Sequence, residues 1–354
     1  MAVWWLRRLR APAAALGTSA LATSLYVRGA DQEFVAVSES ELPLTYDPDR
    51  ISTVWSTHPR CVLARMRTIA LAAVPFSARL VTDFIVHRRD EPASQRDARH
   101  AERARELRNV LTDLGPTFIK FGQMLSIRPD VLPPPAVYEL QKLCDAVPSY
   151  PTADALRLIE AELGRPAAEV FSGLDEVTTP IAAASLGQVY RCRLIDGGAE
   201  VAVKVQRPDM IRSVSLDLFI LRQCMFAVEW FKTRVLIATF GSADRLSFDV
   251  ALLDTFARAS YLELDYMHEA SNLERFQSEL VPRMGGLVYV PSCERPLTTR
   301  KVLLIASDCS CLLMIVPDCS CACLPANGLS RFARCSATQP SSHSPPPCSA
   351  DLLG

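Results

Sequence analysis

The 354-residue chain is long enough for two domains, and its 38 Lys and Arg against 39 Asp and Glu leave a formal net charge of −1. That balance argues against nucleic acid as a partner, because neutralising a phosphate backbone takes a basic excess. No stretch supplies the roughly 20 strongly apolar residues that a spanning helix takes, the nearest being residues 11–27, so a water-soluble or membrane-peripheral protein is expected.

Residues 1–30 carry Arg7, Arg8, Arg10 and Arg28 among Ala, Ser and Thr, with no acid before Asp31, which is the composition of an organelle transit peptide; an ordinary amphipathic helix is the alternative. Residues 31–59, with scattered Pro and acids, read as a linker, and residues 60–179 as a helical extension. Within it, residues 61–86 form an apolar, arginine-studded helical region interrupted at Pro75. Its face either packs in a core or lies on a membrane with Arg60, Arg65, Arg67 and Arg79 near the headgroups. Charges of alternating sign from Ser94 to Asn109 read as a solvated helix face. In LGPTFIKFGQMLSIRPDVLP (114–133), Gly115 and Pro116 start a helix on which Lys120, Gln123, Met124 and Ile127 share a stripe. Gly122 costs that helix about 1 kcal/mol relative to Ala, which points to close approach of another element. Taken alone, Lys120 and Gln123 are equally a solvated face. Thr152 can cap a further helix that stops at Gly164.

Residues 182–208, AAASLGQVYRCRLIDGGAEVAVKVQRP, carry the chemistry. Val201, Val203 and Val205 alternate with Ala202, Lys204 and Gln206, so the valines enter the core while Lys204 faces a cleft. Residues 187–194 read as the partner strand, and Asp196-Gly197-Gly198 supplies the positive-φ residues of a tight hairpin. Residues 182–189 have the spacing of a kinase glycine-rich loop, with Ala182 and Ala184 in place of two glycines and with Gly187 and Val189 matching. A methyl group at Ala184 restricts φ and keeps the backbone further from a phosphate, so the loop should be stiff. Beyond the hairpin, residues 214–231 form a buried scaffold helix. One long helix, 252–280, places Asp265 and Glu269 on a common face; by itself this acid cluster reads as a solvated face, although a helical glutamate there is available to pair with the strand lysine as in a kinase N-lobe.

KFGQ (120–123), AAASLGQVY, VAVKVQRP and ELDYMHEA (263–270) together resemble the UbiB family of atypical kinase-like proteins, over about residues 45–304, with wording near Tyr46-Asp47-Pro48, LCDAVPSYP and SLDLFILR nearest to plastid members. The resemblance implies an α+β protein-kinase-like N-lobe (180–304) with an added helical K-x-G-Q extension, ATP and Mg²⁺ in intact relatives, a link to prenylquinone metabolism, and a chloroplast location at thylakoid or plastoglobule, the mitochondrion being the alternative. By the same resemblance the nucleotide contacts are Ala182, Ala184, Ser185, Gly187, Gln188, Val189, Ala202 and Lys204, Glu269 is the ion-pair partner, and Lys120, Gln123, Glu263 and Asp265 are the regulatory K-x-G-Q and E-x-D residues.

The chain also departs from the kinase pattern. None of His58, His87, His100, His268 and His343 opens an H-x-D catalytic loop, and no D-F-G follows the hairpin, so no catalytic residue or metal ligand is expected and the C-lobe reads as missing. After Leu304 the likeness ends in a Cys-rich, then Ser/Pro-rich disordered tail (305–354), in which two Asp-Cys-Ser-Cys repeats make a metal cluster the weaker alternative. The five cysteines before residue 300 read as reduced core thiols. The expected protein is therefore an ATP-binding kinase-like chain inactive by itself, or a non-catalytic module that docks on a membrane, a lipid droplet or an intact family member.

Overall fold

The computed structural model describes residues 33–86, 92–130, 132–144, 147–231, 250–284 and 290–306, so the expected transit peptide and the tail from residue 307 lie outside the described residues. Helix α1 (Pro48–Ser56) begins where Asp47 accepts the Asp49 and Arg50 N–H groups, each at 3.1 Å, with Pro48 at the first helical position. Its Trp55 is fully buried, donates from Nε1 to Ser215 Oγ at 3.0 Å, and joins Val37, Leu42 and Ile51 in a helical core. The expected linker is therefore core structure: the Pro and acids that resemble linker punctuation are the start signals of a helix.

Helix α2 (Pro59–Val86) runs unbroken through Pro75. The proline stands on the exposed side, where water can satisfy the carbonyl that loses its partner. Helix α3 (Ala93–Leu114) packs on α2 through Arg103–Asp83 at 2.7 Å and Arg79–Glu106 at 3.1 Å. Its charges are thus partly interhelical rather than a purely solvated face. Helices α4 (Pro116–Leu125) and α5 (Pro134–Gln141) follow, α4 starting at Gly115 with φ 97°, a left-handed value that favours glycine. A Cβ on Gly122 would lie 2.5 Å from Leu143 Cδ1 and 2.8 Å from Leu111 Cδ1, which is the close approach its presence in a helix implied.

Helix α6 (Thr152–Leu163) ends at Gly164 in the left-handed conformation. Thr152 does not cap it; its hydroxyl donates instead to the Thr178 carbonyl at 2.8 Å. After the single turn α7 (Ala167–Val170) comes an antiparallel sheet of β1 (Phe171–Ser172), β2 (Ala182–Ala183), β3 (Gly187–Leu194), β4 (Glu200–Gln206) and β5 (Val302–Ala306), in the order β1-β3-β4-β5 with β2 also on β3. The β3–β4 hairpin turns through Gly197 and Gly198, at φ 78° and 65°. The sheet thus starts at Phe171, inside the expected helical extension, and α6 and α7 cover one of its faces through Ala155, Ile159, Ala167 and Val170.

Helix α8 (Met210–Phe231) is buried at its start, but Phe226, Val228 and Trp230 are exposed, so only its first half is scaffold core. The helix expected over 252–280 is broken: α9 (Val250–Glu263) stops, and α10 (Tyr266–Arg275) restarts with Asp265 as its cap. Cys61, Cys144 and Cys192 are buried thiols outside any disulfide, burial pushing Cys192 up to about 12, whereas Cys224 is exposed and is not a core thiol.

Candidate nucleotide-phosphate site

Alternation along β4 sends Val201, Val203 and Val205 into the core shared with α6, and turns Ala202 and Lys204 toward α10. There Lys204 Nζ donates to Glu269 Oε2 at 2.7 Å. Glu269 stands in the first turn of α10, whose start is fixed by Asp265 accepting the Met267 N–H at 3.0 Å. Asp265 therefore orients the helix that carries Glu269 rather than sharing a helical face with it. It also lies 4.0 Å from Arg300, whose carbonyl accepts the Tyr266 N–H.

The sequence placed Lys204 on a cleft, but its side chain is only 3% exposed. What covers it is Tyr266, whose ring centroid lies 4.4 Å from Nζ. Tyr266 also reaches the loop, since a Cβ on Gly187 would meet its hydroxyl at 2.6 Å and the Val205 carbonyl at 2.5 Å. Gly187 is thus required for close approach, independently of any phosphate. Nothing at the level of spacing marked Tyr266 as a site residue, because its role depends on how α10 packs over the sheet.

The turn between β2 and β3 is closed by the Ala184 N–H donating to the Gly187 carbonyl at 2.7 Å, and Ala184, Ser185 and Leu186 are all buried. Val189 and Ala202 line the same side of the sheet as Lys204, with Ala182 packed against them. The Gln188 side chain is turned away from any ligand: it pairs with the Tyr150 backbone in both directions, accepting from N–H and donating to the carbonyl at 3.2 Å each.

The K-x-G-Q residues divide between two surfaces. Lys120 forms an ion pair with Glu263 at the end of α9, and with Glu263 42% exposed that pair is worth under about 1 kcal/mol rather than the several expected of a buried one. Gln123 faces the other way, donating to the Leu143 carbonyl at 3.0 Å, and Gly122 makes room for Leu143 and Leu111 rather than for the E-x-D residues. Among the described residues, no group of three or more His, Cys, Asp or Glu side chains is placed to hold a metal ion.

A five-stranded antiparallel sheet whose central lysine pairs with a glutamate on a packed helix, next to a small-residue turn, is the arrangement of a kinase-type N-lobe. Residues 142–307 match the ABC1 atypical kinase-like domain, and the chain carries this domain of the UbiB family. It is 40% identical over 261 residues to an uncharacterised protein of Synechocystis, an alignment covering 73% of this chain and 35% of that protein. It is 37% identical over 258 residues to "ACTIVITY OF BC1 COMPLEX KINASE 3, chloroplastic" of Arabidopsis thaliana, covering 73% of this chain and 33% of the relative. To the "Probable protein kinase UbiB" of Pseudomonas putida it is 38% identical over 204 residues, 57% of this chain and 35% of the relative. The chain spans about a third of the length of these curated relatives.

Proposed function

We propose that this chain is a plastid kinase-like module that holds nucleotide phosphates between the 182–189 turn and Lys204 and does not itself transfer phosphate. The observation that carries the reading is the Lys204–Glu269 pair at 2.7 Å beside that turn. An ammonium oriented by a carboxylate and flanked by a tight backbone turn suits a polyphosphate, with Lys204 as the point charge and the turn's backbone as the cradle. Mg²⁺ arriving with a nucleotide would supply charge neutralisation at the phosphates, but among the described residues no group of three or more His, Cys, Asp or Glu side chains stands ready to hold it. Within the 354 residues no H-x-D loop or D-F-G supplies the base and the metal ligands for that step. The plastid assignment rests on relatives whose names say chloroplastic, and the links to thylakoids, plastoglobules and prenylquinone metabolism rest on the family resemblance.

The purified chain is expected to bind a fluorescent ATP analogue weakly, to lose that binding on Lys204→Ala, and to hydrolyse Mg-ATP no faster than buffer. Hydrolysis well above background that disappears in Lys204→Ala would overturn the inactive reading.

A second observation favours a membrane-docking role. Leu63, Met66, Val74, Val81 and Ile85 recur at helical spacing on the outside of α2 and are all more than 40% exposed. The helix from Pro59 to Asp83 is long and apolar enough to cross a membrane, which corrects the expectation that residues 11–27 come nearest to such a length: α2 continues through Pro75. Arg65 turns inward to Asp217 and Arg79, half exposed, pairs with Glu106, whereas Arg60 and Arg67 are exposed on the same face as the apolar residues, where headgroups would meet them. We propose that α2 lies on a bilayer with this face down. The chain should co-float with phosphatidylcholine vesicles, and the pair Val74→Asp, Val81→Asp should remain in the dense fraction. Equal flotation of both proteins, or of neither, would return the face to a protein partner such as an intact family member.

A further inference from the structure

Arg207, just after β4, ties the phosphate-loop turn to the segment before α6. Its Nε and Nη2 donate to the Ala184 carbonyl at 3.3 and 3.2 Å, and Nη2 also donates to the Pro148 carbonyl. Its own N–H donates to the Leu186 carbonyl at 2.8 Å. The guanidinium lies 5.3 Å over the ring of Tyr150, whose hydroxyl donates to the Gln206 carbonyl at 2.9 Å and whose backbone is paired with Gln188. Two of the turn's carbonyls thus end on one residue outside the turn: Ala184's on the guanidinium, through charge-assisted bonds stronger than neutral ones, and Leu186's on the backbone N–H.

The position so held is a closed one. Ser185 is completely buried, and Leu186 is packed into the helical core with Met210, Ile211 and Val214. Gly187 lies against Tyr266, and Tyr266 covers the Lys204 amine. A phosphate that reaches Lys204 must displace this stack, so the nucleotide-competent state is a minor one, and apparent affinity is reduced by its fractional population.

We infer that Arg207 is a positioning residue that latches the 182–189 turn in its closed state, and that releasing it tightens nucleotide binding. The inference rests on the nucleotide reading of this site. Hydrogen exchange without nucleotide should show residues 181–189 of Arg207→Ala exchanging about tenfold faster while β4 and β5 are unchanged, because the latch and not the sheet is lost. The dissociation constant for the fluorescent ATP analogue should fall about tenfold in Arg207→Ala. Arg207→Lys, which keeps the charge but cannot span the Ala184 and Pro148 carbonyls, should fall between, and serves if the alanine variant does not fold. General damage would weaken binding, so a gain in affinity is an effect that loss of structure cannot imitate. Unchanged loop exchange, or faster exchange with weaker binding, overturns the latch while leaving the site intact. Wild type binding no better than Lys204→Ala overturns the nucleotide reading and the latch with it, whatever the loop does.

Discussion

Arg65→Ala is expected to lower the unfolding free energy by about 3 to 5 kcal/mol, and the melting temperature by on the order of 10 °C. Arg65 reaches from α2 to Asp217 on α8 with two bonds, Nε to Oδ1 at 2.6 Å and Nη2 to Oδ2 at 2.9 Å, and also donates to the Leu114 carbonyl at 2.6 Å. The Asp217 side chain is 1% exposed, so truncating its partner leaves a carboxylate that water cannot reach. Burial already raises the Asp217 pKa above its ordinary value, with Arg65 working in the opposite direction. An acid whose folded pKa is raised makes the native state bind more protons than the unfolded one, so its contribution to stability falls as pH rises above the usual carboxylate range. Losing Arg65 enlarges that shift, and the deficit of Arg65→Ala should therefore be greatest near neutral pH and shrink toward about pH 4. Urea titrations at the two ends of that range measure it. Replacing both partners by apolar residues, as in Arg65→Met with Asp217→Leu, should recover most of the loss, because no charge is then stranded. A deficit under about 1 kcal/mol in the single variant would mean that water or a neighbouring donor reaches Asp217 once Arg65 is gone.

Glu269→Ala should cost about 2 to 3 kcal/mol of stability, whereas Lys204→Met should cost little. The asymmetry follows from burial: Lys204 is 3% exposed and Glu269 29%, so losing the glutamate takes a carboxylate from an ammonium that water does not reach beneath Tyr266, while a carboxylate losing the lysine can still turn to water. Methionine fills the stem of Lys204 between Val189 and Leu303, the residues opposite it on the flanking strands. If both predictions hold, the fold does not need the charge of Lys204, and its retention on a central strand is explained by binding rather than by stability. The check is thermal melting of the two variants beside binding of the fluorescent nucleotide analogue. Equal destabilisation by both substitutions would instead make the pair a structural brace, and would remove the main support for the phosphate site.

Elements whose causes are local could be read from the order of residues. The alternation of Val201, Val203 and Val205 made β4, two adjacent glycines at positive φ made its hairpin turn, Gly115 with Pro116 started α4, and Gly164 stopped α6. These features were legible because each is fixed by steric limits on one or a few neighbouring residues. The pairing of Lys204 with Glu269 was legible too, given a strand lysine and a helical glutamate within a recognisable motif order. The remaining contacts came from packing between distant elements. That Tyr266 covers Lys204 depends on α9 stopping at Glu263 so that α10 can restart over the sheet. That Gln123 serves Leu143 while Lys120 serves Glu263 depends on which elements flank α4 on its two sides. Trp55 enters the core, and Arg65 meets Asp217, across sequence separations of 160 and 152 residues. A polar or aromatic side chain takes whichever partner packing brings within about 3 Å, and that partner is set by how helices and sheet meet rather than by its own neighbours in the chain.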